Sequence, residues 1–238
     1  MAKEKKKKIS IRHILALIIG ITGLCVLLYP TAADFVYNRQ TSSLKLEFLE
    51  KTQSQQAGDD SPKPYEELYQ YLTLENERLF ETGQSGLVDA FSYQRAGINL
   101  SDYGIEDGCI GFIDIPSIGI EMPIYLGANT ENMRKGAVHL TQTSYPIGGE
   151  NTNAVIAAHR GGTTEMFRNI HKIEIGDEVI ITNFREQLNY RVVDIKIILP
   201  NDINEIKIQD DRELITLISC NPLGANYQRY VVYCERVY

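Results

Sequence analysis

The stretch Leu214-Ile215-Thr216-Leu217-Ile218-Ser219-Cys220 decides the fold, because an apolar, β-branched run of this kind predicts a buried strand. Asn221-Pro222-Leu223-Gly224 follows at once and predicts a turn, and Tyr230-Val231-Val232-Tyr233 predicts the return strand. The first run ends on a cysteine, so a thiol lies at the mouth of a strand, just before a loop. This placement makes Cys220 a candidate nucleophile.

Two other residues make chemistry at Cys220 plausible. His159 follows the apolar run 154–158 and precedes a glycine loop, so it is expected at the rim of a sheet; Arg229 lies nine residues after the cysteine. A thiol with a pKa of ~8.5 is a weak nucleophile until a cationic neighbour stabilises its thiolate. A histidine does this and then protonates a leaving amine. An arginine offers a donor fork to an oxyanion.

Each of these residues also has a structural interpretation. Taken alone, His159 and Cys220 are more often structural than catalytic, and Arg229 fits a surface salt bridge in an acidic domain. Their combination favours a catalytic site. His139 follows an apolar residue and is interpreted as a buried, hydrogen-bonding histidine, whereas His171 is expected on the surface.

The second half of the chain has the pattern of a mainly β fold. Short strands are predicted at 110–115, 118–125, 154–158, 178–182, 188–199, 213–219 and 230–237. Many short strands with turn signals and few helices indicate a sandwich or a barrel. Only the strand at 188–199 is long, and a closed barrel is the expected architecture.

The N-terminus predicts a membrane segment. Residues 14–33 carry no charge and reach the roughly 20 residues that cross a bilayer core. Lysines precede this span and acids follow it, so residues 1–13 are predicted to be cytoplasmic and the rest of the chain extracellular. The alternative is a cleaved signal peptide, with Thr31-Ala32-Ala33 near the cleavage site. Both interpretations export the domain.

The chain is therefore divided into four parts. A basic segment (1–13) and a transmembrane signal anchor (14–33) precede a helical region with a loop (34–105). A catalytic β-barrel domain (106–238) follows. Within the helical region, the apolar residues at 65, 68, 69 and 72 form one helical stripe, so this helix is expected to lie against the main domain.

Charge and cysteine usage exclude other classes of function. Residues 1–12 hold six basic side chains and one acidic one, which leaves 18 basic and 30 acidic side chains, a net charge of −12, for the rest. Nucleic-acid binding is not expected from so acidic a domain. No Cys/His cluster has metal spacing, so neither a metal nor another cofactor is predicted. A disulfide between Cys109 and Cys234 stays open.

These residues resemble those of the sortases, the cysteine transpeptidases of Gram-positive cell surfaces. Thr216-Leu217-Ile218-Ser219-Cys220 resembles the family's TLxTC signature, with Ser219 where threonine is usual. Ala158-His159-Arg160-Gly161 resembles the segment around its catalytic histidine, and Arg229 has the spacing of its essential arginine. The likeness runs from Cys109 to the C-terminus. It implies a sortase-like closed β-barrel, with Cys220, His159 and Arg229 as catalytic residues.

Within the family, the chain is most similar to class C, the pilin-polymerising sortases. Class C enzymes carry a lid with Asp-Pro-aromatic in the active site, and here Asp89 and Phe91 match while Ala90 replaces the proline. The resemblance implies that Asp89 pairs with Arg229 and that Phe91 covers Cys220. Without proline the lid is expected to be less rigid. No second hydrophobic span follows the domain, so membrane retention is expected to rest on residues 14–33.

The implied reaction is acyl transfer. Cys220 attacks the Thr–Gly bond of an LPxTG-like sorting signal, His159 protonates the departing amine and Arg229 stabilises the oxyanion. In class C the resolving amine is a lysine of another pilin, and in housekeeping sortases it belongs to a cell-wall precursor. Three alternatives remain: a housekeeping or class B sortase, a non-catalytic surface-anchored β-domain, and a cysteine hydrolase.

Overall fold

A computed structural model describes residues 11–56, 64–161 and 166–238 of the chain. Its N-terminal part consists of two long helices, α1 (Ile11–Gln56) and α2 (Pro64–Glu81). Helix α1 is continuous through Pro30, so the proposed membrane span and the residues after it form a single helix. Residues 1–10, which make up most of the predicted basic segment, lie outside the described residues.

The C-terminal part is a closed barrel, as the sequence predicts, and it has eight strands where the sequence predicts seven. The strands are β1 (Cys109–Ile115), β2 (Ile120–Leu126), β3 (Ala137–His139), β4 (Thr152–Ala157), β5 (Glu178–Asn183), β6 (Gln187–Ile198), β7 (Glu213–Asn221) and β8 (Gln228–Arg236). Around the barrel they are ordered β1-β2-β3-β4-β7-β8-β6-β5. A short helix, α3 (Thr130–Lys135), precedes β3.

Strand β7 organises this barrel. It pairs in parallel with β4 on one side and antiparallel with β8 on the other. From Glu213 to Ser219 every residue is buried, which explains why the sequence of β7 is apolar without alternation. The predicted β7–β8 hairpin is confirmed. Strand β3 is not predicted from the sequence, because its three residues, Ala137–His139, are too few to show an alternation of apolar and polar side chains.

Both helices are fastened to the barrel outside the predicted membrane span. Leu68, Leu72 and Leu79 of α2 are buried, and the amide of Asn76 both accepts from Tyr145 N–H (2.7 Å) and donates to its carbonyl (3.3 Å). Phe48 of α1 lies edge-on to Phe112, with ring centroids 5.5 Å apart. Because α2 packs against the barrel, its C-terminal end is held there, and the loop 85–93 starts close to the barrel surface.

Candidate active site

Cys220 and Arg229 are direct cross-strand partners at one end of the β7–β8 ladder. Opposed residues of an antiparallel pair project to the same face with Cβ atoms ~4.5–5.5 Å apart, so the thiol and the guanidinium stem share one face. Cys220 is half-buried, and Arg229 is only 5% exposed. The spacing of nine residues in the sequence corresponds to this register.

The neighbouring strand β4 brings His159 to the same rim. Ala157 lies opposite Ile218 in the parallel ladder, and Ala158 N–H donates to the Ile218 carbonyl (3.3 Å). Ser219 Oγ then donates to the Ala158 carbonyl (2.8 Å). His159 directly follows Ala158, and Cys220 directly follows Ser219. The histidine side chain is accessible to solvent, and its carbonyl accepts from Phe167 N–H (3.0 Å).

The loop 85–93 lies over this rim. The Asp89 carboxylate accepts two hydrogen bonds from Arg229, one from Nε and one from Nη2, both 2.8 Å long. The Phe91 ring stands with its centroid 6.1 Å from that of His159 and 4.9 Å from the Arg229 Cζ atom. Between them, Ala90 is fully buried. The Asp89–Arg229 pair is the one that the family resemblance implies, and the phenyl ring lies near the histidine and the arginine.

The electrostatics of the closed site favour a neutral thiol. Burial raises the pKa of Cys220, Arg229 lowers it, and the Asp89 carboxylate raises it again. Burial lowers the pKa of His159, which favours a neutral imidazole that can accept the thiol proton. With the loop in this position, Asp89 therefore opposes the effect of Arg229 on the pKa of the Cys220 thiol.

Two buried glutamines that the sequence analysis missed hold the ends of this loop. Gln84 donates to the Gln142 carbonyl (3.0 Å) and accepts from Ile208 N–H (2.7 Å). Gln94 accepts from Thr141 N–H (2.9 Å) through its side chain. Neither glutamine has a sequence signal, because both lie in a stretch without hydrophobic periodicity and their partners are distant in the chain.

Cys109, Cys234 and His139 are buried in the barrel domain, outside this site. Cys109 and Cys234 are free, buried thiols on β1 and β8, which are not neighbours in the barrel, so the disulfide left open by the sequence does not form. His139 is buried as predicted, with Nε2 3.0 Å from the Ser144 carbonyl, and burial lowers its pKa to about 4. Among residues 11–56, 64–161 and 166–238, no cluster of three His, Cys, Asp or Glu side chains fits a metal ion.

A barrel with a cysteine, a histidine and an arginine at one rim is the architecture of a sortase. The family model for the sortase domain matches residues 113–237, just over half of the chain, and the chain therefore belongs to the sortase family. This confirms the resemblance found in the sequence.

Curated relatives carry several sortase names. Sortase D of Bacillus subtilis (strain 168) is 31% identical over 130 residues, which cover 53% of this chain and 63% of that protein. Sortase A of Listeria monocytogenes is 27% identical over 130 residues, covering 55% of this chain and 57% of that protein. The chain thus matches less than two thirds of the length of these relatives.

Solved structures of class C sortases resemble the chain over a larger part. Sortase C1 of GBS Pilus Island 1 has a TM-score of 0.72 at 29% identity, covering 83% of this chain and 98% of that one. Sortase C from Clostridium perfringens SM101 has a TM-score of 0.65 at 31% identity, covering 82% of this chain and 99% of that one. The helical region before the barrel is therefore included in the structural likeness.

Proposed function

We propose that the protein is a cysteine transpeptidase that cleaves an LPxTG-like sorting signal and joins it to an amine. The observation that carries this proposal is the cross-strand pair of Cys220 and Arg229, with His159 delivered to the same rim by β4. A non-catalytic surface domain has no need of a half-buried thiol beside a buried guanidinium.

The reaction begins when the lid moves away from the rim. The Cys220 proton passes to the neutral His159 imidazole, and the thiolate attacks the carbonyl carbon of the Thr–Gly bond. The oxyanion takes the place of the Asp89 carboxylate at Nε and Nη2 of Arg229, while Nη1 keeps its bonds to the carbonyls of Asn226 (2.7 Å) and Gln228 (2.9 Å). Preorganised donors of this kind stabilise developing charge strongly.

Three proton transfers complete the cycle. His159 gives its proton to the departing glycine amine, and the threonyl thioester with Cys220 remains. An incoming amine attacks the thioester, forms an amide with the threonyl carbonyl and loses a proton to His159. The thiolate leaves and is reprotonated. A cysteine hydrolase would use water at this step, so the fate of the thioester separates the two activities.

The acceptor we favour is a lysine amine of a pilin. The support is the likeness to class C sortases, including one described as the pilus-related sortase C of Group B Streptococcus, at a TM-score of 0.60 and 32% identity. The second candidate is attachment of surface proteins to a cell-wall precursor by a housekeeping or class B sortase. The curated relatives are named Sortase A and Sortase D and not sortase C, so this alternative is kept as the second candidate.

The protein is proposed to act at the outer face of the cell membrane. Within Ile14–Thr52, α1 has a stretch long and apolar enough to cross a membrane. Residues 14–33 are the proposed single-pass anchor, residues 1–13 the cytoplasmic segment, residues 34–105 the helical region with its lid, and residues 106–238 the extracellular catalytic domain. A signal peptide cleaved near Thr31-Ala32-Ala33 remains the alternative, and the length of the mature chain distinguishes the two.

The decisive experiment supplies one donor and two acceptors. The full chain in detergent is incubated with a fluorescent LPxTG peptide, with either a lysine-bearing pilin or a cell-wall precursor peptide, and products are identified by mass. We expect transfer to the pilin lysine, no product from Cys220→Ala, and unchanged product from Cys25→Ala, a matched thiol variant in the proposed membrane span. Transfer to the precursor alone would favour the anchoring role, and free acid alone would indicate a hydrolase.

A further inference from the structure

A chain of hydrogen bonds joins the sequence neighbours of the three proposed catalytic residues. Arg160 Nη1 donates to Asn221 Oδ1 (2.6 Å), and Asn221 Nδ2 donates to Gln228 Oε1 (3.0 Å). Arg160 follows His159, Asn221 follows Cys220, and Gln228 precedes Arg229. The Gln228 carbonyl in turn accepts from Nη1 of Arg229 (2.9 Å).

Arg160 has an unusual environment for an arginine. It is only 8% exposed, and its guanidinium lies over Tyr230, with Cζ 5.2 Å from the ring centroid. Among the residues the structure describes, no carboxylate forms an ion pair with Arg160, and its buried Nε has no hydrogen-bond partner. Burying a guanidinium without a carboxylate partner costs stability. Because Arg160 directly follows His159, we looked for a role of this arginine in the active site.

The position of this arginine supplies the role. The last backbone bond from β4 to β7 ends on Ala158, and His159 and Arg160 lie beyond the ladder. Two side-chain bonds continue the connection: Ser219 to the Ala158 carbonyl before the catalytic pair, and Arg160 to Asn221 after it. Together they bracket His159 and Cys220 from both sides.

We propose that Arg160 is a positioning residue, which acts through Asn221 and Tyr230 to hold the His159 imidazole at the level of the Cys220 thiol. The inference rests on the proposed acyl transfer. It gives the Arg160–Asn221 pair no contact with the scissile bond. Its effect is confined to the geometry of proton transfer between thiol and imidazole, and misplacement of reacting groups by ~1 Å costs up to about 100-fold in rate.

The kinetic test removes the hydrogen bond between Arg160 and Asn221 by substituting either residue. Arg160→Ala and Asn221→Ala are each expected to lower kcat about 10- to 100-fold with little change in the KM for the peptide donor. The double variant is expected to be no slower than the worse single one, because both substitutions break one connection. Arg160→Lys keeps the charge and is expected to recover part of the rate. Arg212→Ala, which removes a guanidinium paired with Glu235 at the other end of the barrel, is the matched control and is expected to match the wild type.

A second readout needs no substrate. The rate at which iodoacetamide alkylates Cys220 in the full chain is measured across pH, on a Cys25→Ala background, with thermal unfolding as the control for folding. We expect Arg160→Ala and Asn221→Ala to move the midpoint of this profile to higher pH by the same amount. An unchanged midpoint, or additive losses of kcat in the double variant, would overturn the positioning role. If no peptide or acceptor reacts even with the wild type, the transpeptidase proposal fails, and the alkylation profile still decides the role of Arg160.

Discussion

Strand β8 carries an arginine near each end, Arg229 buried and Arg236 half-buried, and the two look alike at first. Arg229 binds Asp89 with two bonds of 2.8 Å, and Arg236 binds Glu213 at 3.1 Å. Each guanidinium also lies near an aromatic ring, Phe91 at 4.9 Å for Arg229 and Tyr190 at 5.6 Å for Arg236.

The two arginine–carboxylate pairs differ in the structural element to which the carboxylate belongs. Glu213 stands on β7, the strand next to β8, and it also accepts from the hydroxyls of Tyr190 (3.1 Å) and Tyr238 (2.8 Å). Asp89 stands on a loop, 140 residues away from Arg229 along the chain, and its side chain is 21% exposed. At one end of β8 the carboxylate that binds the arginine belongs to a neighbouring strand. At the other end it belongs to a loop. The second pair can separate without unfolding the barrel.

Removal of each carboxylate gives the largest contrast in stability. Glu213→Ala leaves Arg236 and two tyrosine hydroxyls without their common partner, and we expect the free energy of unfolding to fall by about 3–5 kcal/mol. Asp89→Ala should lower it by only about 1–2 kcal/mol, because the loop can open and return Arg229 to solvent while the barrel stays folded. Denaturant unfolding followed by circular dichroism measures both. Equal losses would mean that the lid is an integral part of the barrel.

Replacement of each arginine gives the largest contrast in activity. Arg229→Lys keeps the charge but loses the donor fork, and we expect kcat for acyl transfer to fall about 100- to 1000-fold. Arg236→Lys should leave kcat per folded molecule near that of the wild type and act mainly on stability. Steady-state transfer rates, normalised to the folded fraction, check this pair. A large loss of kcat in Arg236→Lys would show that the two ends of β8 are coupled.

Neutralising the lid carboxylate should activate the thiol. Asp89→Asn weakens the bond to Arg229 by about 1–2 kcal/mol, which corresponds to about 5- to 30-fold in the open population. It also removes a charge that raises the pKa of Cys220, so the thiolate forms at lower pH. We therefore expect faster alkylation by iodoacetamide at neutral pH and a midpoint shifted to lower pH.

The control for this experiment is Asp102→Asn, which changes an exposed aspartate outside the site in the same way. Both variants are made on the Cys25→Ala background, so that Cys220 is the reactive thiol that is followed. A midpoint that stays in place or moves to higher pH in Asp89→Asn would contradict the electrostatic role of the lid.

The sequence predicts the pairing of Cys220 with Arg229 much better than the other contacts of β7 and β8. Cys220 and Arg229 lie near the ends of two consecutive strands that a short loop, residues 222–227, connects, so their spacing in the sequence limits their register in space. The bond from Ser219 to Ala158 joins strands 61 residues apart in a parallel pair, which no local pattern encodes. The Glu213–Arg236 pair also depends on register, over the full length of the hairpin.

The lid is an intermediate case. Asp89 and Phe91 were found through a family resemblance, because a polar residue in an aperiodic loop has no physical signature in the sequence alone. Its anchors Gln84 and Gln94 were missed for the same reason. The continuity of α1 was missed too, because the change from an apolar to a mixed composition near residue 34 suggests two segments, whereas the helical backbone continues through it.

The smallest effect concerns Ala90, where the chain departs from the proline of class C lids. Ala90 is fully buried between Asp89 and Phe91, and its N–H forms no backbone hydrogen bond among the described residues. The Ala90→Pro substitution therefore removes no backbone hydrogen bond. Proline restricts the open loop more than the closed one, which stabilises the closed loop by about 0.4–1 kcal/mol. We expect alkylation of Cys220 to slow by about 2- to 5-fold, and Ala90→Gly to accelerate it. Slower alkylation in the glycine variant, or faster alkylation in the proline variant, would contradict this entropic effect, and unchanged rates in both would show that side-chain contacts alone hold the loop.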